Sequence, residues 1–199
     1  VLTSCAGHGP GGTGSGSNEA SGGEAASGSL SELEVESLLF MREEEKLARD
    51  VYRSLEGYGN PFVNIQGSEQ NHMDALLGLL DAYGLADPVV SDEVGSFANQ
   101  ELKALYVKLV SQGEPSELAA LGVGCTIEEL DIRDIERAKE DVTHDDVIAT
   151  YDLLLLGSRN HLRAFYGKLK QRGGSYTPQY IDQTEFDAIV NSSRERPRG

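Results

Sequence analysis

Leu38, Met41, Glu45, Ala48, Tyr52 and Leu55 fall at three- and four-residue intervals, the spacing of a single covered stripe along an α-helix. The same spacing returns in Ile65, Glu69, His72, Leu76, Leu79 and Tyr83, in Leu118, Leu121, Cys125, Glu128, Ile132 and Ile135, and in Val147, Tyr151, Leu154, Ser158, His161 and Phe165. Four apolar stripes of this length must be buried against one another, and this constrains the fold more than any other feature of the chain. No strand-like alternation or Asn-Gly hairpin signal competes with them, so the predicted class is all-α.

Stop and start signals divide the chain. Helix A is predicted over about 31–57, ending at Gly57-Tyr58-Gly59-Asn60-Pro61, and helix B over about 62–82, closed by Tyr83-Gly84. A crossover over 84–115 carries one short amphipathic helix around 98–112. Helix C is predicted over about 116–140. Helix D spans about 144–171, with Thr143 as its cap, Asp145 and Asp146 in its first turn, and Gly173-Gly174 as its stop. The helical domain thus covers 31–174, and an extension, 175–199, holds a short helix at 183–191 and a basic tail.

The informative residues are the polar ones on the stripes. Helical phase selects Glu45 and turns its neighbours Glu43 and Glu44 outward as ordinary solvated charges. On helix B both Glu69 and His72 fall on the stripe, and their i, i+3 separation lets one helix offer a carboxylate and an imidazole side by side. Helix C contributes Glu128, with Glu129 and Asp131 toward the edges of the face and Asp131 as a reserve ligand; helix D contributes His161. A single such residue on a helix face is more often hydrogen-bonded or near a rim than a ligand. Five together are different, because three buried carboxylates and two imidazoles would cost several kcal/mol unless protonated or bound to cations. A pair of divalent metal ions removes that cost, and O/N ligation suits iron or manganese while leaving zinc open.

Helical rise tests whether the five meet. Measured from the A–B turn, Glu45 lies about 21 Å along its helix, and Glu69 and His72 about 15 to 20 Å along theirs. From the C–D turn, Glu128 is about 21 Å away and His161 about 28 Å, a mismatch of a little over one turn. Tyr52 and Tyr151 lie on the stripes as core aromatics, with hydrogen bonding to the ligands as the alternative, and Cys125 reads as a small buried hydrophobe.

The set resembles the ferritin-like di-iron carboxylate proteins, in which one Glu from each of two helices joins a Glu-x-x-His from each of two others. Glu45-Lys-Leu-Ala48-Arg49-Asp-Val-Tyr52 resembles the first liganding helix of rubrerythrins, and Glu69-Gln-Asn-His72 is similar to the second. More closely, Glu43 to Tyr52, Ser68 to His72, Ile127 to Ile132 and Ser158 to Phe165 resemble an uncharacterised ferritin-like domain family of bacteria and archaea, over about residues 33–190. The resemblance implies a ferritin-like four-helix bundle with a long crossover between its second and third helices. It also implies a dinuclear iron or manganese centre that oxidises Fe(II) or reduces or dismutates peroxide. The chain departs from the pattern at Ser158, where the helix-D carboxylate is expected; Asp131 or water is left to fill the gap. It also has no Cys-x-x-Cys pairs, and so no rubredoxin-type electron donor.

Charge limits the partners. With 33 acidic against 17 basic residues and a net charge of −16, the chain would repel nucleic acid and anionic lipid, and it favours cations. No stretch is apolar enough for a membrane-spanning helix. At the front, Leu2-Thr3-Ser4-Cys5 resembles the lipobox of bacterial lipoproteins, with a chance tetrapeptide as the alternative. On that reading residues 1–5 are the end of a trimmed signal and Cys5 carries lipid. Residues 6–30 are then a Gly/Ser-rich tether with a reach of about 27 Å, and the protein sits in the cell envelope or is secreted. Gly7-x-Gly9-x-x-Gly12 has neither the strand nor the helix a dinucleotide site needs. Three functions stay open: a di-metal oxidoreductase acting on peroxide or dioxygen, an envelope-tethered metal-binding or interaction module, and a bundle that has lost its metal. A homodimer is left open as the assembly.

Overall fold

The computed structural model describes residues 28–197. The expected lipidated Cys5 and nearly all of the expected tether lie outside them. Among the described residues the chain is all-helical: α1 (Glu32–Ser54), α2 (Phe62–Ala82), α3 (Gln100–Gly113), α4 (Glu117–Asp141), α5 (Asp145–Gln171) and α6 (Gln183–Val190), with a 3₁₀ turn at Glu56–Tyr58. None of these helices is long and apolar enough to cross a membrane.

Short connections make α1/α2 and α4/α5 two antiparallel hairpins, and contacts of α1 with α4 and of α2 with α5 close the four long helices around one core. Ser31 starts α1 through a capping box: its hydroxyl accepts from the Glu34 amide, and the Glu34 carboxylate accepts from the Ser31 amide. The other Glu34 oxygen reaches across the fold to accept from the amides of Thr143 and His144. That contact corrects the predicted start of α5. The Thr143 hydroxyl also turns to Glu34, and His144 takes the cap position instead. Inside, the rings of Tyr52, Phe62 and Phe165 meet at centroid distances of 5.0 to 6.0 Å. Gly124 lets α4 approach this cluster, since a Cβ there would lie 2.3 Å from Phe165. Leu118, predicted buried, is 43% exposed because it sits at the end of the core beside the Gly174 turn.

The largest departure from the sequence reading is the outer side of α1. Glu43 and Glu44 are buried rather than solvated, and so are Lys46, Arg49 and Asp50. The crossover lies over Glu43, Lys46, Arg49 and Asp50, while Glu44 sits beside Asp134 of α4, and the crossover's backbone polar groups need partners that no secondary structure supplies. Glu43 accepts from the amides of Ala98 and Asn99 just ahead of α3, at 2.6 and 3.0 Å. Asp50 accepts from the Gly95 amide, from Lys46 at 2.5 Å and from Arg49 at 2.9 Å. Lys46 also donates to the Glu93 carbonyl, and Arg49 reaches Gln70 and Asp92. On α4, Glu129 and Asp131 are buried rather than near an edge. The segment after α5 covers Glu129, which accepts from the amides of Gln179 and Tyr180. Phe186 and Ile189 of α6 join the same core, so the extension packs on the helices it follows.

Candidate metal centre

All five residues selected by helical phase converge between α1, α2, α4 and α5. Glu45, Glu69 and His72 form one triad of donor atoms and Glu69, Glu128 and His161 a second, the atoms of each lying within 4.8 Å of one another. Glu69 belongs to both. Its Oε2 is 2.8 Å from His72 Nδ1, and its Oε1 is 2.9 Å from His161 Nδ1. His72 Nδ1 also lies 3.1 Å from Glu45 Oε2, and His161 Nδ1 lies 3.5 Å from Glu128 Oε2. The two imidazoles stack with centroids 5.6 Å apart.

The depth mismatch between Glu128 and His161 disappears because helical side chains lean toward the N-terminus of their own helix. On the antiparallel pair α4/α5, Glu128 therefore leans away from the connecting turn and His161 toward it. About three residues of axial offset between the Cα atoms shrink to about one.

Proximity here is not hydrogen bonding. Glu69 Oε1, Glu128 Oε2 and His161 Nδ1 are all buried without a hydrogen-bond partner, although they lie side by side. Buried polar atoms without partners are rare, and three converging on one point form the donor arrangement of a cation site. Other residues fix the site from outside. Tyr52, fully buried in the core as expected, also donates to Glu128 Oε1 at 2.5 Å, so the alternative role weighed for it is realised. Ser68 shares a hydrogen bond of 3.0 Å with His161 Nε2, leaving Nδ1 turned to the carboxylates. Tyr151 pairs with Ser37 instead, and Cys125 is a buried core thiol.

Electrostatics follow from this packing. Burial acts to raise the Glu69 carboxyl, but the His161 and His72 imidazoles outweigh it and hold it at about 2. Glu128 is pushed up to about 7, mainly by burial, against the pull of His161. Burial acts against a charged His161, yet Glu69 and Glu128 raise it to about 10. His72 is likewise held well above its ordinary value by Glu45 and Glu69 despite burial. The carboxylates around them thus favour the charged form of both imidazoles.

Two details of the site were not legible in the sequence: the direction of the Ser158 hydroxyl and the role of Gly157. Ser158 is buried, and its hydroxyl donates to the Leu154 carbonyl at 3.1 Å, so this side chain is turned back onto its own helix. Beside it, Gly157 makes room for the His72 ring: a Cβ there would lie 2.5 Å from Cε1 and Nε2. A glycine in a helix interior facing a histidine of another helix is the only trace of this in the sequence. Gly157→Ala is expected to displace His72 and weaken metal binding at the Glu45–His72 half by about 10–100-fold, while the α-helical circular dichroism is kept. Unchanged metal affinity, measured by calorimetry, would rule the contact out as important.

Comparison with known proteins gives relatives without a reaction. A family described as "Uncharacterized protein domain (DUF2202)" matches residues 34–193, which contain every residue of the cluster. "Uncharacterized protein MJ0754" of Methanocaldococcus jannaschii is 49% identical over 169 residues, covering 84% of this chain and 91% of the relative. The crystal structure of hypothetical protein MJ0754 from Methanococcus jannaschii superimposes with a TM-score of 0.82 at 48% identity, covering 84% of this chain and 97% of that one.

Proposed function

Since the chain belongs to the DUF2202 domain family, we propose from its site that it is a ferritin-like four-helix protein holding a dinuclear carboxylate centre, with iron or manganese as the resident metal. The observation that carries this reading is the convergence of Glu69 Oε1, Glu128 Oε2 and His161 Nδ1, buried and without hydrogen bonds, beside the second triad of Glu45, Glu69 and His72.

Glu69 would span the pair, His72 and His161 would each give one nitrogen through Nδ1, and Glu45 and Glu128 would complete one half each. Bound there, two redox-active ions supply the one-electron changes needed to oxidise Fe(II) or to reduce or dismutate peroxide. The protein's part is to position the donors. Tyr52 holds one Glu128 oxygen by its phenolic proton, leaving the other directed at His161. Ser68 fixes the His161 ring. A tethered storage or structural module is the second reading, and the observation in its favour is Ser158, which leaves α5 without a carboxylate.

Anaerobic reconstitution with Fe(II) tests the proposal. Two metal ions per chain are expected, and loading should release protons, because the neighbouring carboxylates push His161 up to about 10 and hold His72 above its ordinary value, while ligation needs the neutral rings. Apparent affinity should therefore rise with pH, by about tenfold per unit for each proton displaced. Turnover of peroxide or Fe(II) by the loaded protein selects the oxidoreductase reading; tight loading without turnover selects the module. A protein that takes up no metal would refute both.

A further inference from the structure

A pocket on the outer side of His161 has a charge unlike that of the chain as a whole. It measures about 520 Å³ and opens between the first turns of α2 and the second half of α5, with Ser68, Asn160, His161, Arg163 and Arg194 in its wall. That size suits a small organic molecule. The wall holds two arginines and no acidic residue, in a chain with 33 acidic against 17 basic residues. Glu195, beside Arg194 in the tail, is committed elsewhere: it pairs with Arg159 and with Arg163, each at 2.6 Å. Its backbone also pairs with the Asn160 side chain in both directions, the amide donating at 2.9 Å and the carbonyl accepting at 3.2 Å. These bonds clasp the tail to α5 and carry Arg194 to the pocket. Arg194 is exposed and makes no ion pair among the described residues.

We propose that this pocket binds a small organic anion, its charged group countered by Arg194 and its apolar part set against Pro61, Ile65 and Ala164. Arg194 then selects the charge of the ligand, and Glu195 is a positioning residue that holds the tail in place. Charge decides the class. Across the wall and the clasp, three arginines stand against one glutamate, so an anion is attracted and a cation repelled. The net charge of −16 does not reverse this, because exposed charges farther away than about 8 Å are largely screened at physiological salt. Asn64 and Ser68 add an amide and a hydroxyl from the α2 side. Ser68 is also bonded to His161 Nε2 at 3.0 Å, so a bound molecule lies one side chain away from the proposed centre. The inference goes beyond the dinuclear reading and needs no metal to be tested.

Benzoate is the probe, with benzylamine as a cation of similar shape, each titrated into the metal-free full chain and followed by calorimetry and by the nuclear magnetic resonance of Ser68 and His161. Benzoate is expected to bind at one site and to shift both residues, and benzylamine is not. Arg194→Gln should weaken benzoate by about tenfold or more, whereas Arg172→Gln, just past the end of α5, should leave it unchanged. Glu195→Gln should weaken benzoate too, and adding Arg194→Gln to it should cost little more, because both changes remove the same cation from the pocket. Full additivity of the two would show that Glu195 does not act through Arg194. Benzoate bound equally well by Arg194→Gln, benzylamine bound as tightly as benzoate, or no benzoate bound in the millimolar range would overturn the proposal. Metal loading is a separate measurement: a chain that binds benzoate but no metal refutes the dinuclear reading alone, and one that binds metal but no benzoate refutes the anion site alone.

Discussion

Glu69→Ala is expected to empty both halves of the centre at once, whereas Glu128→Ala should leave one ion bound. The difference follows from Glu69 alone belonging to both triads, with one oxygen 2.8 Å from His72 Nδ1 and the other 2.9 Å from His161 Nδ1. Glu128 serves only the His161 half, so its loss leaves Glu45, Glu69 and His72 intact. The readouts are metal per chain and the rise in melting temperature on adding metal. A ligand present at about 100 times its dissociation constant stabilises a fold by about 2.7 kcal/mol, and Glu69→Ala should lose all of that increment. Two ions retained by Glu69→Ala would show that the shared carboxylate is not the link between the halves.

The largest effect on stability is expected at Asp50→Ala, far from any proposed ligand bond. Asp50, Lys46 and Arg49 are all fully buried, and Asp50 is the acceptor common to both cations and the Gly95 amide. Its removal leaves the buried Lys46 with only the Glu93 carbonyl and Arg49 with only Asp92 and Gln70, and breaking such a buried pair typically costs about 3–5 kcal/mol. For a domain of this size that corresponds to a fall in melting temperature of about 6–20 °C. The exposed pair Lys139–Asp152 provides the comparison, since Asp152→Ala should change stability by about 1 kcal/mol or less. Thermal melts of the two variants decide it: an Asp50→Ala protein melting within about 2 °C of wild type would mean that the crossover is held by other contacts.

These two predictions draw on parts of the molecule that differed in how far the sequence disclosed them. The long helices and the grouping of Glu45, Glu69, His72, Glu128 and His161 followed from periodicity, because each of these residues interrupts a stripe that must be covered. Periodicity reports one covered face per helix. It could not show that α1 is covered on further sides, by the crossover over Glu43 and by α4 beside Glu44, and so both carboxylates read as solvent-facing. A signal was present in the crossover, which has many backbone polar groups and little regular structure to satisfy them. The burial of Glu129 depended similarly on the segment after α5, whose docking no local pattern announces. The back-bonded Ser158 hydroxyl and the space left by Gly157 are matters of side-chain direction, which spacing alone does not carry.

The arrangement of α1/α2 and α4/α5 as two hairpins has a consequence for how the centre comes together. Each hairpin closes over a short loop, so its internal contacts are local and entropically inexpensive. Glu45, Glu69 and His72 all belong to the first hairpin, and this triad can therefore assemble before the chain has closed the long crossover. Glu128 and His161 arrive with the second hairpin, and Glu69 is where the two meet. The halves of the centre thus differ in contact order: one is built within a local unit, and the other depends on docking across about sixty residues of intervening chain.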